Sequence, residues 1–63
     1  MAARLYRLAC DGGHAVGCKY LAMNLELGLG IEVDLDEAAR YYARSCDLAD
    51  GEACARLRAL AAD

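Results

Sequence analysis

Four cysteines are the residues best suited to chemistry in this chain of 63 residues. Seven residues separate Cys10 from Cys18, and seven separate Cys46 from Cys54. Thiols in this pattern could form disulfides, remain free and buried, or bind zinc together as four thiolates. Structural zinc sites favour C-x2-4-C pairs and redox-active sites favour C-x-x-C, and neither spacing occurs here. The spacing therefore favours disulfides over a metal site.

The other reactive side chains are too few to form an active site. Ser45, Lys19 and His14 are each the only residue of their type. A serine nucleophile of the Ser-x-x-Lys kind has no lysine at the required position, and a catalytic metal needs several ligands. An acidic run lacks the glycine and spacing of a calcium loop, which favours a solvated loop; its members are Glu32, Asp34, Asp36 and Glu37. We therefore predict that the protein is not an enzyme and needs no cofactor or metal.

Composition limits the classes of protein to which the chain can belong. The sequence is 59% hydrophobic and 27% charged and contains no proline, which favours a packed helical fold over disorder. At this length residues 1–63 form a single domain. A net charge of -3 argues against binding to nucleic acid or to an anionic membrane surface. No uncharged run approaches the ~20 residues of a membrane span.

The chain contains an internal repeat with a period of 36 residues. When residues 1–27 are laid over residues 37–63, eight positions are identical, whereas composition alone would give about two or three. The shift places Cys10 on Cys46 and Cys18 on Cys54. We take residues 1–33 as the first repeat and residues 34–63 as the second. The period is typical of helix–turn–helix solenoids.

Hydrophobic periodicity predicts two helices in each repeat, at about 2–11, 15–27, 35–48 and 51–62. The glycines at 12, 13, 28 and 30 end the first two helices, and Asp34 with Glu37 forms an N-terminal capping pattern for the third. The apolar stripe expected on the first helix consists of Leu5, Tyr6, Ala9 and Cys10. The stripe expected on the last helix consists of Cys54, Leu57, Leu60 and Ala61. The predicted fold class is all-α, a short solenoid of four helices.

The repeat also favours one pattern of disulfides. The end of one helix in a hairpin lies beside the start of the next, within the ~4.4–6.8 Å Cα separation that a bridge requires. Equivalent positions in successive repeats should instead lie ~8–10 Å apart. We therefore expect Cys10 to pair with Cys18 and Cys46 with Cys54.

A longer stretch of sequence resembles the Sel-like repeat family, which is related to the tetratricopeptide repeats. The resemblance lies in Leu21-Ala-Met-Asn-Leu-Glu-Leu-Gly28, then Gly30-Ile-Glu-Val-Asp34, then Glu37-Ala38 at the start of a helix. The cysteine segments are similar to the disulfide-bearing subgroup typified by the Helicobacter cysteine-rich proteins. The sequence departs from the family pattern at five positions, which are Ala22, Leu25, Glu37, Ala49 and Arg58. Several such changes in a short chain are also compatible with a divergent terminal repeat or an engineered scaffold.

The resemblance implies an α/α solenoid, the same two disulfides, and a role in binding other proteins. It also implies penicillin binding or weak β-lactamase activity, which we keep as an alternative although no activated serine or metal site supports it. A further alternative is a designed repeat scaffold without a natural partner.

The binding function is expected in the groove lined by the first helix of each repeat. That groove would present four arginines to a carboxylate-bearing protein or peptide, and these are Arg4, Arg7, Arg40 and Arg44. We expect a monomer or a homodimer, because two repeats are fewer than the three or so that usually give stability. Cysteine usage predicts a secreted or periplasmic protein whose signal peptide is not part of this sequence.

Overall fold

All regular structure in residues 2–62, the part of the chain that the computed structural model describes, is helical. The four helices confirm the predicted all-α class, and each predicted boundary lies within one residue of the observed one. They are α1 (Ala2–Asp11), α2 (Ala15–Leu27), α3 (Leu35–Asp47) and α4 (Gly51–Ala61).

Side-chain caps define the first residues of both helices in the second repeat, α3 and α4. The Asp34 carboxylate accepts a hydrogen bond from the backbone N–H of Glu37 at 3.0 Å, as the capping pattern predicts. Asp50 caps α4 in the same way, accepting from the backbone N–H of Glu52 at 3.0 Å and of Ala53 at 3.3 Å. These bonds satisfy backbone donors that the first turn of a helix otherwise leaves unpaired.

Left-handed residues end the first helix of each hairpin. Gly13, after α1, has φ +88°, and Ala49, at the equivalent position after α3, has φ +75°. Glycine adopts this conformation freely, whereas alanine is disfavoured there because its Cβ crowds the following carbonyl. The second repeat therefore carries backbone strain at Ala49 that the first repeat avoids.

Replacing this alanine should stabilise the protein. We expect Ala49→Gly to raise the free energy of unfolding by up to about 1 kcal/mol, because the left-handed backbone is then unstrained. Gly13→Ala should lower it by a similar amount, since nothing lies within 4 Å of the added Cβ and only backbone strain changes. Urea denaturation followed by circular dichroism measures both; equal stability of all three proteins would show that the turns carry no strain.

The helices pack in chain order, α1 on α2, α2 on α3 and α3 on α4, as in a short solenoid. The core lies where the middle helices meet, and its buried members are Leu21, Ala22, Leu25, Ala38, Tyr42 and Ala53. Tyr6, the repeat equivalent of Tyr42, is partly buried against this cluster. The two terminal helices therefore bury less than the middle ones.

Two positions in the predicted stripes of the terminal helices are exposed rather than buried. Leu5 is 66% exposed, although the stripe of α1 included it, and Ala61 at the end of α4 is also exposed. Each terminal helix packs extensively against only one neighbouring helix in the described chain, so part of the face that its periodicity marks as buried stays in solvent.

A close backbone approach sets the position of α1 against α2. A Cβ built on Gly17 would lie 2.6 Å from the Cβ of Ala9 and 2.9 Å from the backbone nitrogen of Cys10. Only glycine allows the two helices to come this near without a shift of backbone. Cys10 pairs with Cys18 next to this contact, with their Cα atoms 4.5 Å apart.

The second disulfide joins Cys46 and Cys54, whose Cα atoms lie 4.7 Å apart. Both pairings agree with the prediction from the repeat. No free cysteine is found in the described chain, so the alternatives of free thiols and of a four-thiolate zinc site are wrong. Each bridge ties the end of one helix to the start of its hairpin partner.

Candidate functional site

An open cleft of about 410 Å³ lies between the first helices of the two repeats. We call it the arginine cleft. It is lined by Arg7 of α1 and by Glu37, Arg40, Tyr41 and Arg44 of α3. Three guanidinium groups against one carboxylate give this surface a positive charge in a chain whose net charge is -3.

Helical spacing brings the α3 members of the cleft together. Arg40 lies three residues after Glu37, and Arg44 lies four residues after Arg40, so all three project from one face. The core face of the same helix buries Ala38, Tyr42 and Ser45. Packing of that face turns the arginine-bearing face outward.

Contacts near the Cys10–Cys18 disulfide hold α1 and α3 on either side of the cleft. The Ser45 hydroxyl donates to the backbone carbonyl of Ala15 at 2.7 Å, which fixes α3 against the start of α2. The disulfide fixes the end of α1 to the same part of α2. The relative positions of these three helices are therefore set by a covalent bond and a partly buried hydrogen bond.

The three arginines of the cleft differ in their partners. Arg44 lies across from α1, with its Nη1 3.7 Å from the Asp11 carboxylate and 3.8 Å from the Sγ of Cys10. Arg7 and Arg40 have no carboxylate within 4.0 Å among the described residues. Two guanidinium groups thus remain available to an anionic ligand, each with several donors in a planar arrangement.

The solenoid pattern predicts four arginines in this groove, and the structure brings three of them together. Arg4 is exposed on α1 but does not line the cleft. Tyr41 and Glu37 line it and were not named, although they lie next to Arg40 and one turn before it. Their position on the arginine face of α3 was the signal that could have identified them.

A second cluster of charges joins the two repeats outside the cleft. The Lys19 ammonium donates to the Glu52 carboxylate at 2.8 Å and lies 3.7 Å from Asp50. The hydrogen bond raises the pKa of Lys19 and lowers the pKa of Glu52, because each charge favours the ionised form of the other. These groups satisfy one another, so the cluster is structural.

His14 lies at the N-cap of α2 and makes no side-chain capping bond. Among residues 2–62 no group of three or more His, Cys, Asp or Glu side chains is arranged to hold a metal ion. No helix in that range is long and apolar enough to cross a membrane.

A second open cleft, of about 480 Å³, lies among the end of α2, the start of α3 and the end of α4. We call it the tail cleft. Most of its lining is apolar, and two carboxylates complete it. The lining residues are Glu26, Leu35, Asp36, Ala39, Leu57, Ala59, Leu60 and Ala61.

Comparison with protein-family models, with curated proteins and with solved structures finds no match to this chain. The likeness to Sel-like repeats therefore stands on the residues quoted above.

Proposed function

We propose that the protein is a non-enzymatic interaction module that binds a carboxylate-bearing peptide segment in the arginine cleft. The observation that carries the proposal is the pair of guanidinium groups, Arg7 and Arg40, that face the cleft without a carboxylate partner among residues 2–62. They come from two different helices, so a ligand that bridges them contacts both repeats.

The chemistry of the cleft favours a carboxylate over other ligands. Arginine donates two parallel N–H bonds to a carboxylate, which adds geometric specificity to the attraction between the charges. Glu37 in the lining adds a single negative charge, which repels an acidic residue placed beside it and so confines the ligand's carboxylate to the arginines. Tyr41 offers an aromatic surface for the apolar part of the peptide.

The two disulfides support a function in an oxidising compartment. We propose a secreted or periplasmic location, where the partner would be another protein in the same compartment. A rigid, stapled helix pair suits this role because little conformational entropy is lost when the ligand binds.

The test uses a short peptide that alternates Glu with Ala, blocked at both ends, and its Gln/Ala counterpart. Isothermal titration should give binding of the Glu peptide only, with an affinity that falls as salt is raised, because the charges are near the surface. Arg7→Ala together with Arg40→Ala should weaken binding at least about tenfold, the equivalent of ~1.4 kcal/mol.

The matched control is Arg58→Ala, since Arg58 is exposed on α4 and lies outside the arginine cleft. Its affinity should equal that of the wild type. If the cleft double variant binds as tightly as the control, or if the Gln peptide binds equally well, the arginine cleft is not the binding site.

A further inference from the structure

The outer side of α1 carries an apolar and basic surface that no other part of the described chain covers. Leu5 is 66% exposed and Leu8 is 64% exposed, and they lie three residues apart on one face. Arg4 lies one turn before Leu8 on the same side of the helix. We call these three residues the head face. Residues 2–10 contain no acidic side chain, so the charge of this face is positive.

The tail cleft has the opposite character. Its apolar lining includes Leu57 and Leu60, which are only partly buried against the core. Its charged members are the carboxylates of Glu26 and Asp36, and no basic residue lines it. One oxygen of Glu26 accepts the hydrogen bond of Tyr42 at 2.7 Å, and the exposed Asp36 is in no ion pair within the described residues.

The head face and the tail cleft are both apolar and carry opposite charges, and they belong to opposite ends of the chain of helices. The head face is on the first helix, and the tail cleft is formed mainly by the last two helices. Within the chain, the first repeat already presents its second helix to the first helix of the next repeat, through the contact between α2 and α3. The head face is equivalent in the repeat to Arg40, Tyr41 and Arg44, so docking through it would be a different contact from the one between α2 and α3.

We propose that copies of this chain associate head to tail, the head face of one copy docking in the tail cleft of the next. Leu5 and Leu8 then bury their exposed side chains against the apolar lining, and Arg4 lies near the carboxylates of Glu26 and Asp36. A contact of this type uses two different patches, so each dimer keeps one free head and one free tail and longer assemblies can form.

Analytical ultracentrifugation tests this association over a range of concentration from about 10 µM to about 1 mM, which suits a small interface. The weight-average mass should rise from the 6.7 kDa of the single chain as concentration increases. A head-blocked variant, Leu5→Glu with Leu8→Glu, should remain at the mass of one chain. A tail-blocked variant, Ala59→Arg with Ala61→Arg, should do the same. All four positions are exposed, so circular dichroism should show unchanged helicity.

Mixing the two blocked variants gives the decisive result. The head-blocked chain keeps its tail cleft and the tail-blocked chain keeps its head face, so an equimolar mixture should associate although each variant alone does not. A milder pair of variants is Arg4→Glu and Asp36→Lys, each of which changes one charge. Each variant alone should associate less than the wild type, and an equimolar mixture of the two should regain the association of the wild type.

Val16→Glu is the matched control, because Val16 is a similarly exposed apolar residue on α2, 54% exposed and outside both surfaces. It should leave the rise in mass unchanged. The proposal is overturned if the wild type keeps the mass of one chain up to about 1 mM, if the mixture of blocked variants stays monomeric, or if Val16→Glu abolishes association as fully as the head-blocked variant.

Discussion

We expect the protein to unfold when both disulfides are removed. Closing a loop of nine residues contributes about 2.5 kcal/mol in the chain-entropy model, so two bridges contribute about 5 kcal/mol. Among residues 2–62 the buried core contains only three large apolar side chains, Leu21, Leu25 and Tyr42, and a core of this size supplies no more than ~3–5 kcal/mol. The bridges therefore decide whether the folded state is populated.

The two bridges should differ in their individual effects. Cys10 and Cys18 are 2% and 0% exposed, whereas Cys46 and Cys54 are only partly buried. Replacing the first pair by alanine removes packed sulfur atoms as well as the cross-link, so it should cost more than the ~2.5 kcal/mol of the loop alone.

Thermal melts followed by circular dichroism measure these costs. The variant without Cys10 and Cys18 should melt at a lower temperature than the variant without Cys46 and Cys54, and the variant without all four should show no cooperative transition. A four-alanine variant that keeps the helicity and melting temperature of the wild type would show that the helices pack without the bridges.

Tyr42→Ala is the single substitution expected to cost most. Tyr42 is the largest fully buried side chain, and truncating an aromatic residue in a core costs about 3–5 kcal/mol. Tyr42→Phe keeps the ring and removes only the hydroxyl, which donates to the Glu26 carboxylate at 2.7 Å. The loss of this bond should cost about 1.5–3 kcal/mol, because its acceptor is charged.

Tyr42 also makes stability depend on pH in the alkaline range. Burial and the neighbouring Glu26 carboxylate both raise the pKa of Tyr42 above its ordinary value of 10.0. In the unfolded chain the phenol loses its proton near pH 10, while the folded chain keeps it, so the unfolded state is favoured as pH rises. The stabilisation is complete below pH 10 and declines above it.

Urea denaturation at neutral pH tests the contribution of the bond to Glu26. The same measurement above pH 10 tests the expected loss of stability when the Tyr42 phenol ionises. The wild type should lose more stability over this range than Tyr42→Phe, which has no phenol to ionise there. Tyr20→Phe is the control, because Tyr20 is 39% exposed. Equal stability of Tyr42→Phe and the wild type at neutral pH would mean that the bond to Glu26 contributes nothing.

The helices and their pairing could be predicted from the sequence because local signals and the repeat agree. Asp34 followed three residues later by Glu37 specifies the start of α3, and the turn glycines specify the end of α1. The equal spacing in the two cysteine pairs selects one pairing among three.

The surfaces at the ends of the solenoid could not be predicted in the same way. Periodicity marks Leu5 as apolar but does not say whether another helix covers it, and in residues 2–62 none does. Three arginines of the arginine cleft could be inferred from the solenoid pattern, since the first helix of each repeat lines the groove. The repeat makes Arg4 equivalent to Arg40, so the sequence pattern alone could not show that Arg4 lies outside the cleft.

Arginine side-chain NMR most directly tests whether the arginine cleft binds an acidic peptide. The Nε–H signals of the ¹⁵N-labelled protein report on each guanidinium group while the blocked Glu/Ala peptide is added. We expect saturable shifts for Arg7, Arg40 and Arg44 and none for Arg58. Shifts of equal size at all these arginines would indicate non-specific charge attraction and would contradict a binding site in the cleft, as would the absence of any shift.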